Sequence, residues 1–386
     1  MKTSTRYTVA VAGIALVIAA LCLARWWGKE LPAGEFIPPD GANVTYFPAL
    51  EAETGLPLVI SASTEAGFMR PFVLGFQRHH ASVPVAYIQS RSGAFFQQAL
   101  HSCQEAASSA DIYLSASSDQ LVRLANEDCA LPLPASIGKS APGQAQWRDE
   151  VVAFTVEPAA FVFAKPASAI PEVIPRSHIA LLEWLRSLPQ QDARIGTYDI
   201  EESADGYSFA AADSRQAALY GRLLESLGRS HVRLYCCSNV MVDAVDRGDI
   251  RFAYNVQLSY AYAAQRAGSR ISVVVPDDYQ ALQSVSLMVP KGARAPSLAE
   301  EFAAFLVSEE ARALARQVLA PPNQPQALAR SFADQLLSKA SVTPVLLSLQ
   351  DYARREQLIR EWRQAMVSFA PQNDATQTAP AKVRRP

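Results

Sequence analysis

Short apolar runs alternate along the chain with stretches whose apolar residues have helical spacing. The run Leu58–Ser61 is followed by apolar side chains that fall on one helical face between Phe68 and Phe76. Further apolar runs at 83–88 and 112–114 predict two more strands, with a helix between them. Strands that alternate with helices in this way predict a mostly parallel sheet covered by helices.

A second set of such units follows. Its predicted strands are 194–197, 232–235, 250–254 and 271–275, and its predicted helices are 209–227, 240–245 and 258–264. Longer apolar stretches at 151–163 and 284–289 stand on either side of this set. Two sets joined by two extended crossings predict an α/β protein of two lobes with a two-strand hinge. A ligand would then lie between the lobes, at the carboxyl ends of the strands.

The two ends of the chain differ from its body. Lys2 and Arg6 precede an uncharged run at 7–24, which is long enough to cross a bilayer and predicts either a cleaved signal peptide or a membrane anchor. We therefore expect the remainder of the chain to lie in the periplasm. Near the other end, Ser297–Glu300 matches a capping box that opens a helical C-terminal region.

These patterns predict five parts. They are a signal peptide or anchor at 1–27, a linker at 28–54, a first lobe at 55–156 and 283–370, a second lobe at 157–282, and a disordered tail at 371–386.

Composition narrows the possible functions. The chain has 386 residues, too many for one ordinary core, and its net charge of −2 does not favour a nucleic-acid partner.

Four cysteines follow the N-terminal run: Cys103, Cys129, Cys236 and Cys237. An even number suits an oxidising compartment, but the connectivity stays open. Cys103 and Cys129 are expected either to be bonded within the first lobe or to be two buried thiols. No cysteine has metal-ligand spacing, so neither a metal site nor a cofactor is expected.

Several segments carry a resemblance to a known family. They are Ser61–Glu65, Ala110–Ser115, Trp147–Glu150, Gly196–Glu201 and Ala253–Ala261. In order and spacing they resemble the extracellular solute-binding proteins of ABC-type uptake systems, over roughly residues 55 to 365. The branch that the chain looks most like contains the iron(III)-binding proteins and the phosphoglycerate transport regulatory protein. The resemblance implies the two-lobed type II binding-protein fold, a monomer, and a membrane permease or a sensor kinase as partner.

The chain departs from the iron-binding members in one respect. Those members use adjacent tyrosines, whereas here Tyr254 is followed by Asn255, and Ala261 separates Tyr260 from Tyr262. Ferric iron is therefore the lesser alternative.

Polar side chains follow four of the predicted strands. The candidate ligand-binding residues are Ser61, Ser63, Thr64, Glu65, Ser115, Ser117, Ser118, Thr197, Tyr198, Gly206, Tyr207, Tyr254, Asn255, Ser259 and Tyr260. Hydroxyls and backbone N–H groups at helix N-termini suit a small anion, such as a phosphorylated or carboxylated metabolite. The competing interpretation is that these serines only cap helices, since Ser117–Gln120 is itself a capping box.

The sequence thus predicts an exported solute-binding protein rather than an enzyme. It contains no Ser/His/Asp set in a suitable context and no phosphate-loop motif. A ligandless adaptor of a sensor kinase and an enzyme built on the same fold remain the alternatives.

Overall fold

The computed structural model describes residues 43–52, 55–105, 108–141, 145–165, 173–189 and 194–367. The predicted N-terminal hydrophobic segment and the predicted polar tail lie outside these ranges. Among the helices of the described part, none is both long and apolar enough to cross a membrane.

Eleven strands form one mixed sheet in the described residues. They are β1 Asn43–Phe47, β2 Leu58–Ala62, β3 Val85–Gln89, β4 Ile112–Ser115, β5 Gln146–Trp147, β6 Val151–Ala164, β7 Ile195–Tyr198, β8 Arg233–Tyr235, β9 Phe252–Gln257, β10 Ile271–Val274 and β11 Leu282–Met288. Along the main path their order is β1-β3-β2-β4-β11-β6-β9-β7-β8. β2 is parallel to β3 and β4, and β7 is parallel to β8 and β9.

Fourteen helices accompany these strands in the same ranges. They are α1 Ala66–Gln77, α2 Ser92–Gln104, α3 Ser118–Asn126, α4 Ala135–Ser140, α5 His178–Ser187, α6 Ala204–Asp213, α7 Ala217–Arg229, α8 Ser238–Asp246, α9 Leu258–Arg266, α10 Pro296–Leu306, α11 Glu309–Leu319, α12 Gln326–Leu337, α13 Leu347–Gln350 and α14 Tyr352–Val367.

Two strands join the halves of the sheet. β6 is 14 residues long and buried throughout. Its first half pairs with β11, and its second half pairs with β9 and β10. These strands are the two extended crossings that the apolar stretches predicted, so the two-lobed α/β fold is confirmed.

Each half of the sheet has its own hydrophobic core. The first core contains Phe72, Phe76 and Phe302, and the second contains Phe209 and Phe252, all fully buried. Such separate cores are what a chain of this length needs, because one core stops growing at about 250–300 residues.

The C-terminal helix returns to the second lobe. α14 places Leu358, Ile359, Trp362 and Met366 in the second core. The predicted boundary assigned residues up to 370 to the first lobe, and the structure differs from it at this helix. The reason is that α14 has an apolar face of its own, and this face packs against α7.

The start of α10 also differs from the prediction. Its N-cap is Ala295 and Pro296 is its first residue, with no side-chain cap. Ser297 therefore lies inside the helix and the predicted capping box does not form. Proline suits the first helical position because its missing N–H would have no helical partner there.

Candidate functional site

The carboxyl ends of the parallel strands face each other across the boundary between the lobes. From the first lobe, α1 begins directly after β2, and α2 after β3. From the second lobe, α6, α8 and α9 begin after β7, β8 and β9. The N–H groups of a first helical turn have no partner within the helix and carry partial positive charge. Five helix N-termini therefore lie along the edges where the two lobes meet.

Hydrogen bonds between side chains and backbone join the lobes at the strand ends. The Ser117 hydroxyl donates to Oδ1 of Asp205 over 2.8 Å. The backbone N–H of Ala204 donates to Oγ of Ser92 over 3.0 Å, and that of Glu65 donates to the Tyr260 hydroxyl over 3.1 Å. The two lobes of the described molecule are therefore in contact at this boundary.

The hinge strands contribute a polar floor. On β6, Oε2 of Glu157 accepts from the backbone N–H of Ser259 over 3.2 Å. On β11, Gln283 donates to the backbone oxygen of Asp205 over 2.6 Å and accepts from Gln257 over 3.1 Å. These contacts tie the first turns of α6 and α9 to the two strands about which the lobes would move.

A cavity of about 80 Å³ lies between the two sets of strand ends. Its first-lobe wall consists of Ser63, Glu65, Gln89, Ser90, Arg91 and Ser92, and its second-lobe wall of Glu202, Ser203, Asp205, Cys236, Cys237, Ser238, Asn239, Gln257 and Tyr260. A water needs on the order of 10–15 Å³ on this measure, so the cavity holds several waters or a small solute. Its walls are mostly polar side chains at helix N-termini.

Burial controls the charge of the acids around this cavity. It raises the pKa of Glu65 to about 7, with a smaller contribution from the charge of Asp243. It also raises the pKa of Asp205 to about 6, against the opposing hydrogen bond from Ser117. At the hinge, burial raises the pKa of Glu157 to about 8. These carboxyl groups can therefore gain or lose a proton near neutral pH, according to what lies beside them.

A larger cavity of about 390 Å³ lies at the hinge and shares no lining residue with the first. It is bounded by the start of α3, by α6, by β11 and by the segment that follows α12. Asp119, Arg215 and Lys339 are its charged lining residues, and burial raises the pKa of Asp119 to about 7. Only Ser118 of the predicted ligand-binding residues lines it.

The predicted first-lobe residues lie close to one another. Ser63 and Glu65 line the smaller cavity, and the hydroxyls of Ser63 and Ser115 are 2.8 Å apart. Ser117 is the N-cap of α3 but makes no side-chain cap, because its hydroxyl bonds to Asp205 instead. Ser118 bonds to Ser284 and Ser286 of β11. Ser61 and Thr64 are buried.

The predicted second-lobe residues divide into two groups. Tyr260 lines the smaller cavity, and the backbone of Ser259 bonds to Glu157 at the hinge. The others lie inside the lobe or against its outer helix. Thr197, Tyr198, Gly206, Tyr254 and Asn255 line a cavity of about 20 Å³ under α7 and α14, and the Tyr207 ring lies 4.3 Å from the Arg355 guanidinium. The structure therefore does not bring this second group to the smaller cavity.

Sequence analysis missed most of the second-lobe wall and the β3 loop. The missed residues are Gln89, Ser90, Arg91, Ser92, Glu202, Ser203, Asp205, Cys236, Cys237, Ser238, Asn239 and Gln257. The rule that found Ser63 and Glu65 would have found many of them. Residues 90–92 follow the predicted strand 83–88, and residues 236–239 follow the predicted strand 232–235.

Both cysteine pairs are bonded. Cys103 and Cys129 form a disulfide within the first lobe, which is the first of the two alternatives considered for them. Cys236 and Cys237 are bonded to each other and lie in the cavity wall at the start of α8. The described residues contain no group of three or more His, Cys, Asp and Glu side chains that could share a metal ion.

Comparison with known proteins agrees with this architecture. Residues 57–318 match the family model described as bacterial extracellular solute-binding protein. The substrate-binding protein of an ABC transporter from Agrobacterium tumefaciens is 28% identical, with a TM-score of 0.75 over 85% of this chain and 100% of that one. No protein with a curated description matches the sequence.

More distant structures share the fold. Iron-bound HitA from Pseudomonas aeruginosa is 18% identical, with a TM-score of 0.61 over 80% of this chain and 99% of that one. AfuA from Actinobacillus pleuropneumoniae, with fructose-6-phosphate bound, is 15% identical, with a TM-score of 0.58 over 81% and 98%. At these identities the likeness concerns the fold alone.

Proposed function

We propose that this chain, which belongs to the family of bacterial extracellular solute-binding proteins, holds a small solute with an acidic group between its lobes and presents it to an ABC permease. A membrane sensor kinase is the alternative recipient. The solute would occupy the smaller interlobe cavity, outside the cytoplasmic membrane.

Convergence of helix N-termini on this cavity carries the proposal. Arg91 and Ser92 open α2, Ser203 is the N-cap of α6, and Cys237 is the N-cap of α8. All four residues line the cavity. First-turn N–H groups and a guanidinium favour an anionic group, whether carboxylate or phosphate.

Ferric iron is less well supported than an acidic solute. Tyr260 lines the cavity, but the hydroxyl of Tyr254 donates to Asp213 over 2.9 Å inside the second lobe. A ferric site built from this pair of tyrosines would have to break that buried bond. Loss of a hydrogen bond to a charged group costs about 1.5–3 kcal/mol.

The experiment is a thermal-shift screen of phosphorylated and carboxylated metabolites, with ferric citrate as the iron arm. A ligand that binds only the folded protein stabilises it, by about 2.7 kcal/mol at 100 times its Kd. We expect an acidic metabolite to raise the Tm. Native mass spectrometry of protein from the periplasm should also show a bound small molecule.

Two arginine variants locate the acidic group. Arg91→Ala should reduce the Tm shift, while Arg215→Ala, which removes a cation from the larger cavity, should leave it unchanged. The reverse result would place the acidic group in the hinge cavity. No bound solute and no shift with any member of the screen would favour a ligandless adaptor, and turnover of a bound metabolite would favour an enzyme.

A further inference from the structure

The smaller cavity contains charges of both signs that do not pair with each other. Arg91 is the one cationic residue among the described residues that line it, and Glu65, Glu202 and Asp205 are acidic. Within the described part of the chain, neither Arg91 nor the carboxylates of Glu65 and Glu202 have an ion-pair partner. The cavity wall therefore has more carboxyl groups than cations. A ligand with only an acidic group would add another negative charge to this wall.

The neighbouring acid Glu201 behaves differently. It precedes Glu202 and pairs with Arg363 of α14. Glu202 lines the cavity and has no ion-pair partner among the described residues.

The cavity also has an acceptor that lacks a donor. Oδ1 of Asn239, a lining residue, is buried and has no hydrogen-bond partner among the described residues. A buried acceptor without a donor costs about 1–3 kcal/mol, so a donor supplied by a ligand would be favourable. An ammonium group offers three donors and no acceptor, which is the complement of this wall.

We propose that the solute carries an ammonium group as well as its acidic group and is therefore a small zwitterion, such as an ω-amino acid or an aminoalkyl phosphate. The ammonium faces Glu65 and Asp205, while the acidic group faces Arg91 and the N-termini of α2 and α8. This inference rests on the proposed function, because it assigns the second end of the same solute.

The affinity for such a solute depends on pH with a defined sign. Six ionisable groups act on Glu65 or Asp205: Tyr87 of β3, Asp119 of α3, Glu157 of β6, Tyr198 of β7, Asp243 of α8 and Tyr260 of α9. Arg91 and Glu202 line the same cavity. Without ligand, burial raises the pKa of Glu65 to about 7 and of Asp205 to about 6. An ammonium binds the ionised forms, so its affinity should rise from pH 5 to pH 8. If protonated carboxyls donated to an anion instead, affinity would fall over that range.

Matched sets of probes test the inference by calorimetry on the full exported chain. One set is 4-aminobutanoate, butanoate and butylamine, and the other is phosphoethanolamine, ethyl phosphate and ethylamine. In at least one set the zwitterion should bind about ten times more tightly than either half, because hydrogen bonds to charged groups contribute about 1.5–3 kcal/mol.

One pair of variants assigns the effect to the cavity. Glu65→Gln should weaken binding of the zwitterion about tenfold and should not weaken binding of its amine-free partner. Glu183→Gln, on the exposed side of α5, should change neither. Asp205→Asn provides a second test, and the Tm of each ligand-free variant checks that it folds.

Each other outcome overturns the inference. If butanoate or ethyl phosphate binds as tightly as its aminated partner, the ammonium is refuted while the proposed capture of an acidic solute stands. If an amine binds as tightly as the zwitterion, the acidic group is refuted, and with it both the zwitterion and the proposed capture of an acidic solute. A panel in which no member binds also overturns the inference, and a bound solute seen by native mass spectrometry would still support the proposed function.

Discussion

Two carboxylates on the same helix, Asp213 and Asp205, differ in how the protein surrounds them. Asp213 ends α6 and accepts hydrogen bonds from the Tyr254 hydroxyl over 2.9 Å, the Asn255 amide over 2.7 Å and the Tyr279 hydroxyl over 3.1 Å. Asp205 lies in the first turn of α6 and, among the described residues, accepts one side-chain hydrogen bond, from Ser117 of the other lobe. Burial raises the pKa of both groups.

The helix itself explains the difference. Positions eight residues apart on a helix with 3.6 residues per turn differ by roughly 80° in direction. Asp213 therefore lies inside the second lobe, whereas Asp205 lies at the cavity between the lobes. A buried acid whose lone pairs are filled by its own lobe stabilises that lobe, and one with few partners is available for interactions with a ligand.

The largest effect expected from this comparison is on stability. Asp213→Ala would leave the donors of Tyr254, Asn255 and Tyr279 without their acceptor. At about 1–3 kcal/mol for each unsatisfied buried group, partly relieved by water, the free energy of unfolding should fall by about 3–5 kcal/mol. Urea unfolding followed by tryptophan fluorescence measures it. Asp205→Ala is the matched control and should cost less than about 1.5 kcal/mol, so equal losses would contradict the comparison.

Part of the fold and part of the cavity wall could be predicted from the sequence. The hydrophobic pattern predicted both crossings, β6 and β11, because apolar residues recur through each of these largely buried strands. It also predicted that Ser63 and Glu65 would follow β2. Because the carboxyl ends of parallel strands meet at one edge of a sheet, the local sequence pattern was enough to predict that Ser63 and Glu65 lie at the cavity.

Tyr254 and Asn255 show why the rest could not be predicted. Adjacent side chains on a regular strand point to opposite faces, yet both of these reach Asp213. The backbone at Asn255 has φ of 61°, in the left-handed region that asparagine tolerates, and this breaks the alternation. Their partner lies about 40 residues away on α6, a contact that periodicity does not reveal.

The two disulfides also differ in position, because one lies within the first lobe and the other lies in the cavity wall. The Cys103–Cys129 bond spans 26 residues and Cys236–Cys237 spans one. Since a disulfide stabilises mainly by constraining the unfolded chain, replacing Cys103 and Cys129 by serine should cost about 2–4 kcal/mol. Replacing Cys236 and Cys237 by serine should cost less than about 1 kcal/mol, because so small a loop removes little chain entropy. Comparable losses in urea unfolding would show that the second pair is also structural.

The smallest expected effect is a change in pH dependence caused by Glu65. Its pKa is raised to about 7 in the folded protein from an ordinary value of 4.5, so the folded state binds a proton that the unfolded state has already lost between these values. Stability that depends on this group is therefore present below about pH 4.5 and is lost as the pH rises through about 7.

Glu65→Gln should consequently flatten the decline in stability of the ligand-free protein between pH 5 and pH 8, while Glu183→Gln should not. The change should be modest, because Glu65 is only partly buried and water screens its charge. Part of the decline should remain, since burial raises the pKa of Asp205 and Glu157 in the same direction. Urea unfolding at four pH values measures the slope. An unchanged slope in Glu65→Gln would mean that the carboxyl is as well solvated in the folded protein as in the unfolded chain, and so is not held in the cavity wall.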